Sequence, residues 1–175
     1  GERISSADLV VMNGIGFEGW IKRLVKASGY KGVILIAAKN IKKLRQKKHH
    51  GHNINHAGGW DPHVWFSVPN MKIYVANIAE GISRIDLPSK KYYMKNLKKY
   101  TLDLDNLDKF IRSSINSIPK KNRKVITSHD AFGYLAREYG IKMLSPQGIS
   151  TESEASASKV ATLIRQIKKT SVKAI

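Results

Sequence analysis

SKKYYMKNLKKYTLDLDNLDKFIRSSINSI, residues 89–118, carries a single apolar stripe from end to end. Tyr93, Leu97, Tyr100, Leu104, Leu107, Ile111, Ile115 and Ile118 recur at spacings of three and four, the period that lines residues along one face of an α-helix. Ser89 stands where it can cap the start, and Pro119 stops the stripe. At 1.5 Å per residue such a helix is roughly 45 Å long, longer than a small domain is wide. It is either a backbone spanning two lobes or one partner of a coiled coil. The positions flanking the stripe lack regular complementary charges, and α/β sequence stands on both sides, which favours the spanning backbone.

On the N-terminal side, Ala7 to Met12 reads as a short buried strand stopped by Asn13-Gly14. Phe17 to Ser28 reads as a helix with Trp20, Leu24 and Val25 on one face and Gly29 just past its end. Gly32 to Ala38, GVILIAA, is a continuous apolar run, expected to be a fully buried parallel strand. Together these make a βαβ unit. Residues 45–62, rich in His, Gly and Asn, read as a surface loop. From Pro69 onward Met71, Val75, Ile78, Ile82 and Ile85 form a second helical stripe, broken at Asp86-Leu87-Pro88.

A second βαβ-like pattern follows the long helix. Lys124 to Ser128 reads as a strand, and Ala131 to Tyr139 as a helix with Gly140 at its C-terminal cap. Ile141 to Leu144 reads as a further strand and Ser145 to Ala155 as a loop. Ser156 to Thr170 reads as a helix carrying Val160, Leu163, Ile164 and Ile167 on one face. Lys173-Ala174-Ile175 reads as the first residues of another strand, and the sequence as one cut there.

Composition narrows the chemistry. With 42% hydrophobic residues, the chain can bury a core. No apolar run approaches the roughly 20 residues that cross a bilayer, and Gly1 opens onto polar sequence with no signal peptide, as in a mature exported protein or an excised piece. The chain contains no cysteine, so a transition-metal site would have to use imidazole and carboxylate. The net charge of +18 raises nucleic acid or an anionic surface as partners, yet the lysines are dispersed and no nucleic-acid-binding motif is present.

Five of the six histidines fall in HHGHNINHAGGWDPHVW, residues 49–65. His49, His50, His52 and His56 sit in Gly-rich sequence at spacings that match no zinc finger, and read either as a solvated loop or as a weak collector of metal. His63 differs. It follows Asp61-Pro62, where proline constrains the turn, and precedes the apolar Val64-Trp65-Phe66. His129 stands where a strand gives way to a helix, the end of an α/β sheet at which ligands bind. Taken alone, each is as much a structural histidine as a ligand. Asp61 and Asp130 are candidate acceptors for their ring N–H groups. Ser128-His129-Asp130 holds the residue types of a catalytic triad, but adjacent residues point apart. Neither a G-x-S-x-G elbow nor an H-E-x-x-H helix is present, and Gly14-Ile15-Gly16 lacks the third glycine of a phosphate loop.

ADLVVMNGIGFEGW, DPHVWFSVPNMKIYVANIA, VITSHDAFGYLAREYGIKML and GISTESEAS, in this order and spacing, resemble the zinc- and manganese-binding solute-binding proteins of bacterial metal-importing ABC transporters. The resemblance covers nearly the whole chain, and DPHVW and TSHDAFGY are its specific elements. It implies an α/β fold of two βαβ-type lobes joined by a long spanning helix, with a metal held in the cleft between them. It also implies periplasmic delivery of that metal to a membrane permease, and no catalysis. Adhesins also occur in the family, so a host surface joins nucleic acid and anionic surfaces among the alternative partners.

His63 and His129 match the family's ligands from the first and second lobes, and the segment with His49, His50, His52 and His56 resembles the mobile loop of its zinc-specific members. Histidine rather than glutamate at 129 favours zinc, with manganese as the alternative, because a nitrogen-rich set suits zinc better. The family's first histidine and last acidic ligand have no counterparts here. The expected organisation is therefore a first lobe over residues 1–87, incomplete at its start and holding the His-rich loop 45–62. The inter-lobe helix covers 88–118, and a second lobe, incomplete at its end, covers 119–175. Glu152 or Glu154 is the nearest substitute for a missing ligand.

Overall fold

The structure, a computed structural model, describes residues 2–46, 59–145 and 157–170. Its elements run α1 (Glu2–Ser5), β1 (Leu9–Met12), α2 (Ile21–Ala27), β2 (Val33–Ile36), α3 (Val68–Ile85), α4 (Lys90–Ser117), β3 (Lys124–Ile126), α5 (Gly133–Tyr139), β4 (Lys142–Leu144) and α6 (Ala157–Thr170). Strands β1 and β2 pair in parallel, Leu9 with Val33 through Met12 with Ile36. So do β3 and β4, Lys124 with Lys142 through Ile126 with Leu144. Each pair is bridged by a helix, and α4 lies between the two units in the chain. The two-lobe α/β reading holds.

Four departures from the sequence reading bear on how the elements start and pack. First, β2 is parallel but not fully buried: Val33, Ile34 and Ile36 are exposed. The sheet has two strands among the described residues, and α3 meets β2 at Leu35, beside Gly81. Helix and strand approach closely there because Gly81 has no side chain; a Cβ would come within 1.7 Å of Leu35 Cδ1. Second, the first crossover helix starts at Ile21, not Phe17, and Trp20 is exposed. Residues 14–16 instead turn through three positive φ angles, including Ile15 at 56°. The turn is closed by the Glu18 carboxylate, which accepts from the backbone N–H groups of Asn13 and Gly14.

Third, Ser89 stands at the start of α4 without capping it through its side chain. Asp86 does the anchoring, accepting from Ser89 N at 3.3 Å and from the Tyr93 hydroxyl at 2.7 Å. Fourth, the buried line of α4 is narrower than its apolar stripe. Leu104 is buried, and Ile111 and Ile115 pack with it against Val68, Met71 and Val75 of α3 and Leu135, Tyr139 and Ile141 of the second lobe. Tyr100, Leu107 and Ile118 are exposed, and Thr101 and Asp108 are partly buried where the 3.6-residue turn carries the contact line. A straight helix drifts about 20° per heptad, so a regular stripe of threes and fours cannot all face one neighbour. The 28 residues of α4 span about 42 Å.

Polar contacts fasten α4 to both sides. Lys72 of α3 pairs with Asp105 at 2.6 Å. Arg112 pairs with Asp108 at 2.8 Å and with Glu138 of α5, and the Tyr139 hydroxyl donates to Asp108 at 2.8 Å. Helix α5 ends at Gly140 in the left-handed conformation, φ 68°, with its N–H on the Ala136 carbonyl, as expected for that glycine. Helix α6 forms as expected, with Val160 and Ile164 exposed.

Candidate metal centre

His63 sits directly before a 3-10 turn, Val64–Phe66, that leads into α3. Ser67 caps α3 by accepting from Asn70 N, and the Asn70 amide donates to the Val64 carbonyl at 3.1 Å, so the turn is tied to the helix. The DPH segment is not surface loop: Asp61 and Pro62 are buried, and His63 is 7% exposed. Asp61 Oδ1 accepts twice from His63, from the backbone N–H at 2.9 Å and from Nδ1 at 2.8 Å. A proton held on Nδ1 by that carboxylate leaves Nε2 with its lone pair, the form in which imidazole binds a metal.

The turn is braced from both lobes. Asn13, at the end of β1, donates its amide to the Pro62 carbonyl at 3.1 Å and accepts from the Tyr74 hydroxyl at 3.2 Å. From the second lobe the fully buried Tyr134 donates its hydroxyl to the Asp61 carbonyl at 3.0 Å and accepts from Leu44 N at 3.0 Å. Burial pushes the Tyr134 phenol above its ordinary pKa, helped by the nearby Asp61 and opposed by the Leu44 bond and Arg137. The N-terminus of α5 also meets this turn: a Cβ on Gly133 would lie 2.7 Å from Asp61 Oδ2.

His129 stands between β3 and α5, partly exposed, with Ser128 Oγ 3.4 Å from its Nδ1. The backbone bends there: the Thr127 hydroxyl donates to the His129 carbonyl at 2.9 Å. The ring centroids of His63 and His129 are 5.6 Å apart with the planes at 62°. With Zn–N bonds of about 2.0–2.1 Å, two imidazoles on one tetrahedral ion have centroids roughly 5 Å apart, so the two rings could share an ion. Both line a cavity of about 900 Å³, with Trp65, Phe66 and Phe132 among its apolar walls. No cluster of three or more His, Cys, Asp or Glu side chains suited to a metal occurs among the described residues. Asp130 is buried beside His129 in the chain. His49, His50, His52 and His56, with Glu152 and Glu154, lie outside the described residues. The ends of their segment are pinned: Arg45 and Trp60 form an antiparallel bridge, and Gln46 N donates to the Gly59 carbonyl at 2.8 Å.

The family model described as zinc-uptake complex component A, periplasmic, matches residues 2–175. The chain belongs to the ZnuA family. It is 36% identical over 180 residues to the high-affinity zinc uptake system protein ZnuA of Bacillus subtilis, covering 98% of this chain and 55% of that protein. It is 32% identical over 185 residues to the manganese ABC transporter substrate-binding lipoprotein PsaA of Streptococcus mitis, covering 98% and 56%. The solved structure of the periplasmic zinc-binding protein TroA from Treponema pallidum superposes with a TM-score of 0.84 at 28% identity, over 95% of this chain and 58% of that one. The chain thus spans about half the length of the curated ZnuA-family relatives it matches.

Sequence reasoning singled out both histidines and Asp61 in this ZnuA-family chain but not the residues that hold the turn. Asn13, Tyr134 and Gly133 became visible only through contacts between distant segments. TSHDAFGY contains Tyr134 and Gly133, so a motif signal existed, but nothing local in it points to Asp61.

Proposed function

We propose that this chain is the metal-binding part of a substrate-binding protein of an ABC importer, holding a divalent metal between its lobes at His63 and His129. Zinc is the preferred cargo and manganese the alternative, because paired imidazoles favour zinc over a metal satisfied by oxygen ligands. The observation carrying this reading is the pair of rings 5.6 Å apart, one of them set by a buried carboxylate. Asp61, and Asp130 on the second side, serve as acceptors that orient the ligands.

In this reading the protein works outside the cytoplasmic membrane and hands the ion to a membrane permease. The name of the ZnuA relative supports uptake as the purpose, and that of the PsaA relative supports a substrate-binding role beside an ABC transporter. Residues 1–87 and 119–175 act as the two lobes, with 88–118 as the connection, and His49, His50, His52 and His56 collect metal ahead of the cleft. Two imidazoles leave coordination positions on a four-coordinate ion for further ligands.

The test is a competitive titration of zinc and manganese into the metal-free chain, its His63→Ala and His129→Ala variants, and a variant without the four loop histidines. Zinc binding should fall sharply in each cleft variant and little in the loop variant. Loss confined to the loop variant would refute the cleft site in this chain.

A further inference from the structure

The face of α4 turned away from α3 is unlike the rest of the helix. At 3.6 residues per turn, Lys91, Lys95, Lys98, Lys99 and Lys109 all lie within about 60° of the direction opposite buried Leu104. All five are exposed, and none forms an ion pair among the described residues. No carboxylate lies inside this arc; Asp103 stands at its edge. Three large side chains share the arc with the lysines: Tyr92, Leu102 and Phe110 are 64%, 57% and 69% exposed. From Tyr92 to Phe110 the face runs about 27 Å along a straight rod.

Lysines alone would be an ordinary solvated face. Leucine and phenylalanine left exposed among them are not explained by solvation, nor by the packing of α4 among the described residues, where Leu104, Ile111 and Ile115 already supply the contact with α3 and α5. Cationic and apolar side chains interleaved along one helix face match the boundary of an anionic bilayer, where phosphates meet the ammonium groups and the apolar side chains enter the acyl edge. A nucleic acid would satisfy the lysines but offer Leu102 and Phe110 no apolar phase. No described helix is long and apolar enough to cross a membrane, so the fitting mode is lying on the surface.

We propose that the outward face of α4 docks this protein onto an anionic phospholipid surface, with Lys91, Lys95, Lys98 and Lys99 on the headgroups and Tyr92, Leu102 and Phe110 at the acyl boundary. None of the cavity-lining residues belongs to α4, so docking leaves the cavity open. The surface is independent of the metal reading above.

The test is co-sedimentation of the chain with vesicles of phosphatidylcholine, with and without phosphatidylglycerol, at physiological ionic strength. Binding is expected only to the mixed vesicles. The quadruple variant Lys91→Gln/Lys95→Gln/Lys98→Gln/Lys99→Gln should lose at least about tenfold in affinity. Leu102→Ser/Phe110→Ser, at unchanged charge, should also lose about tenfold. A control, Lys31→Gln/Lys42→Gln/Lys120→Gln/Lys121→Gln, removes equal charge elsewhere and should bind nearly as the parent. Equal loss in the control would reduce the effect to net charge and overturn the proposal. So would undiminished binding by the serine variant, or tighter binding of duplex DNA than of the vesicles through the same four lysines.

Discussion

The hydroxyl of Tyr134 donates to the backbone carbonyl of Asp61 at 3.0 Å, joining a helix of the second lobe to the turn that presents His63. The same hydroxyl accepts from Leu44 N, so one phenolic oxygen satisfies two backbone groups of the first lobe. Removing it in Tyr134→Phe leaves both without this partner inside the protein, at about 1–3 kcal/mol for a buried unsatisfied group. The expected outcome is a drop of that order in denaturant-unfolding free energy, with weaker zinc binding. A variant as stable as the parent would show that water replaces the hydroxyl freely.

Asp61→Asn tests the carboxylate on His63. An amide oxygen still accepts from Nδ1 but without charge, so ligand basicity and tautomer control weaken. Zinc affinity should fall about 10- to 100-fold, the range for loss of such a partner. Calorimetric titration reads it directly, and parent-like affinity would remove Asp61 from the site.

Gly133→Ala separates helix propensity from close approach. Alanine should favour α5 by up to about 1 kcal/mol if space were free. Its Cβ would instead lie 2.7 Å from Asp61 Oδ2, and crowding of this kind costs about 1–3 kcal/mol. The variant should melt lower and bind zinc less tightly. A higher melting temperature would mean that the Asp61 carboxylate moves aside without penalty.

Leu104→Ala and Leu107→Ala distinguish the observed face of α4 from its heptad pattern. Leu104 is buried and Leu107 exposed. The first substitution should cost about 2–5 kcal/mol, whereas a surface change of the second kind stays within about 0.5 kcal/mol. Comparable losses would place Leu107 in the core after all.

The cluster joining α4 to α5 predicts a pH dependence at both ends. Burial opposes the charge on Asp108, but hydrogen bonds from Arg112 and Tyr139 outweigh it and hold its carboxyl below the ordinary range. A depressed folded pKa stabilises the protein above the unfolded value of about 3.9, and this contribution is lost as pH falls through the folded pKa. Burial, then the bond to Asp108, pushes the Tyr139 phenol up. Its contribution is full below the unfolded value of about 10 and is lost as pH rises through the folded pKa. Unfolding free energies measured across pH should fall at both limits, and Asp108→Asn should flatten the acid limb.

Much of this was legible in the sequence because it is local. The spacing of Val75, Ile78 and Ile82, the apolar run at Val33 to Ile36 and the glycine at 140 reflect backbone geometry repeating over a few residues, and each gave its element. The same locality explains the errors. A continuous apolar run reports strand tendency but not whether anything covers the strand, so β2 reads as buried in the sequence and is largely exposed in the structure. Ser89 has both the chemistry and the position of a cap, but its side chain makes no cap bond, and the Asp86 carboxylate anchors the helix start instead. Phe17 to Trp20 has no breaker other than glycine, yet the Glu18 carboxylate folds that stretch into a turn.

The sequence by itself determined two βαβ units, a long helix between them and His63 on a proline-constrained turn at the edge of a core. Periodicity and turn chemistry are written in neighbouring residues. Only the tertiary structure decided that His63 and His129, 66 positions apart in number, have rings 5.6 Å from each other. It also decided that Tyr134, 73 residues from Asp61, closes the turn, and that α4 faces its neighbours with Leu104 rather than Leu107. Those outcomes depend on how whole elements pack, a balance of burial and unsatisfied polar groups that no short window of sequence contains.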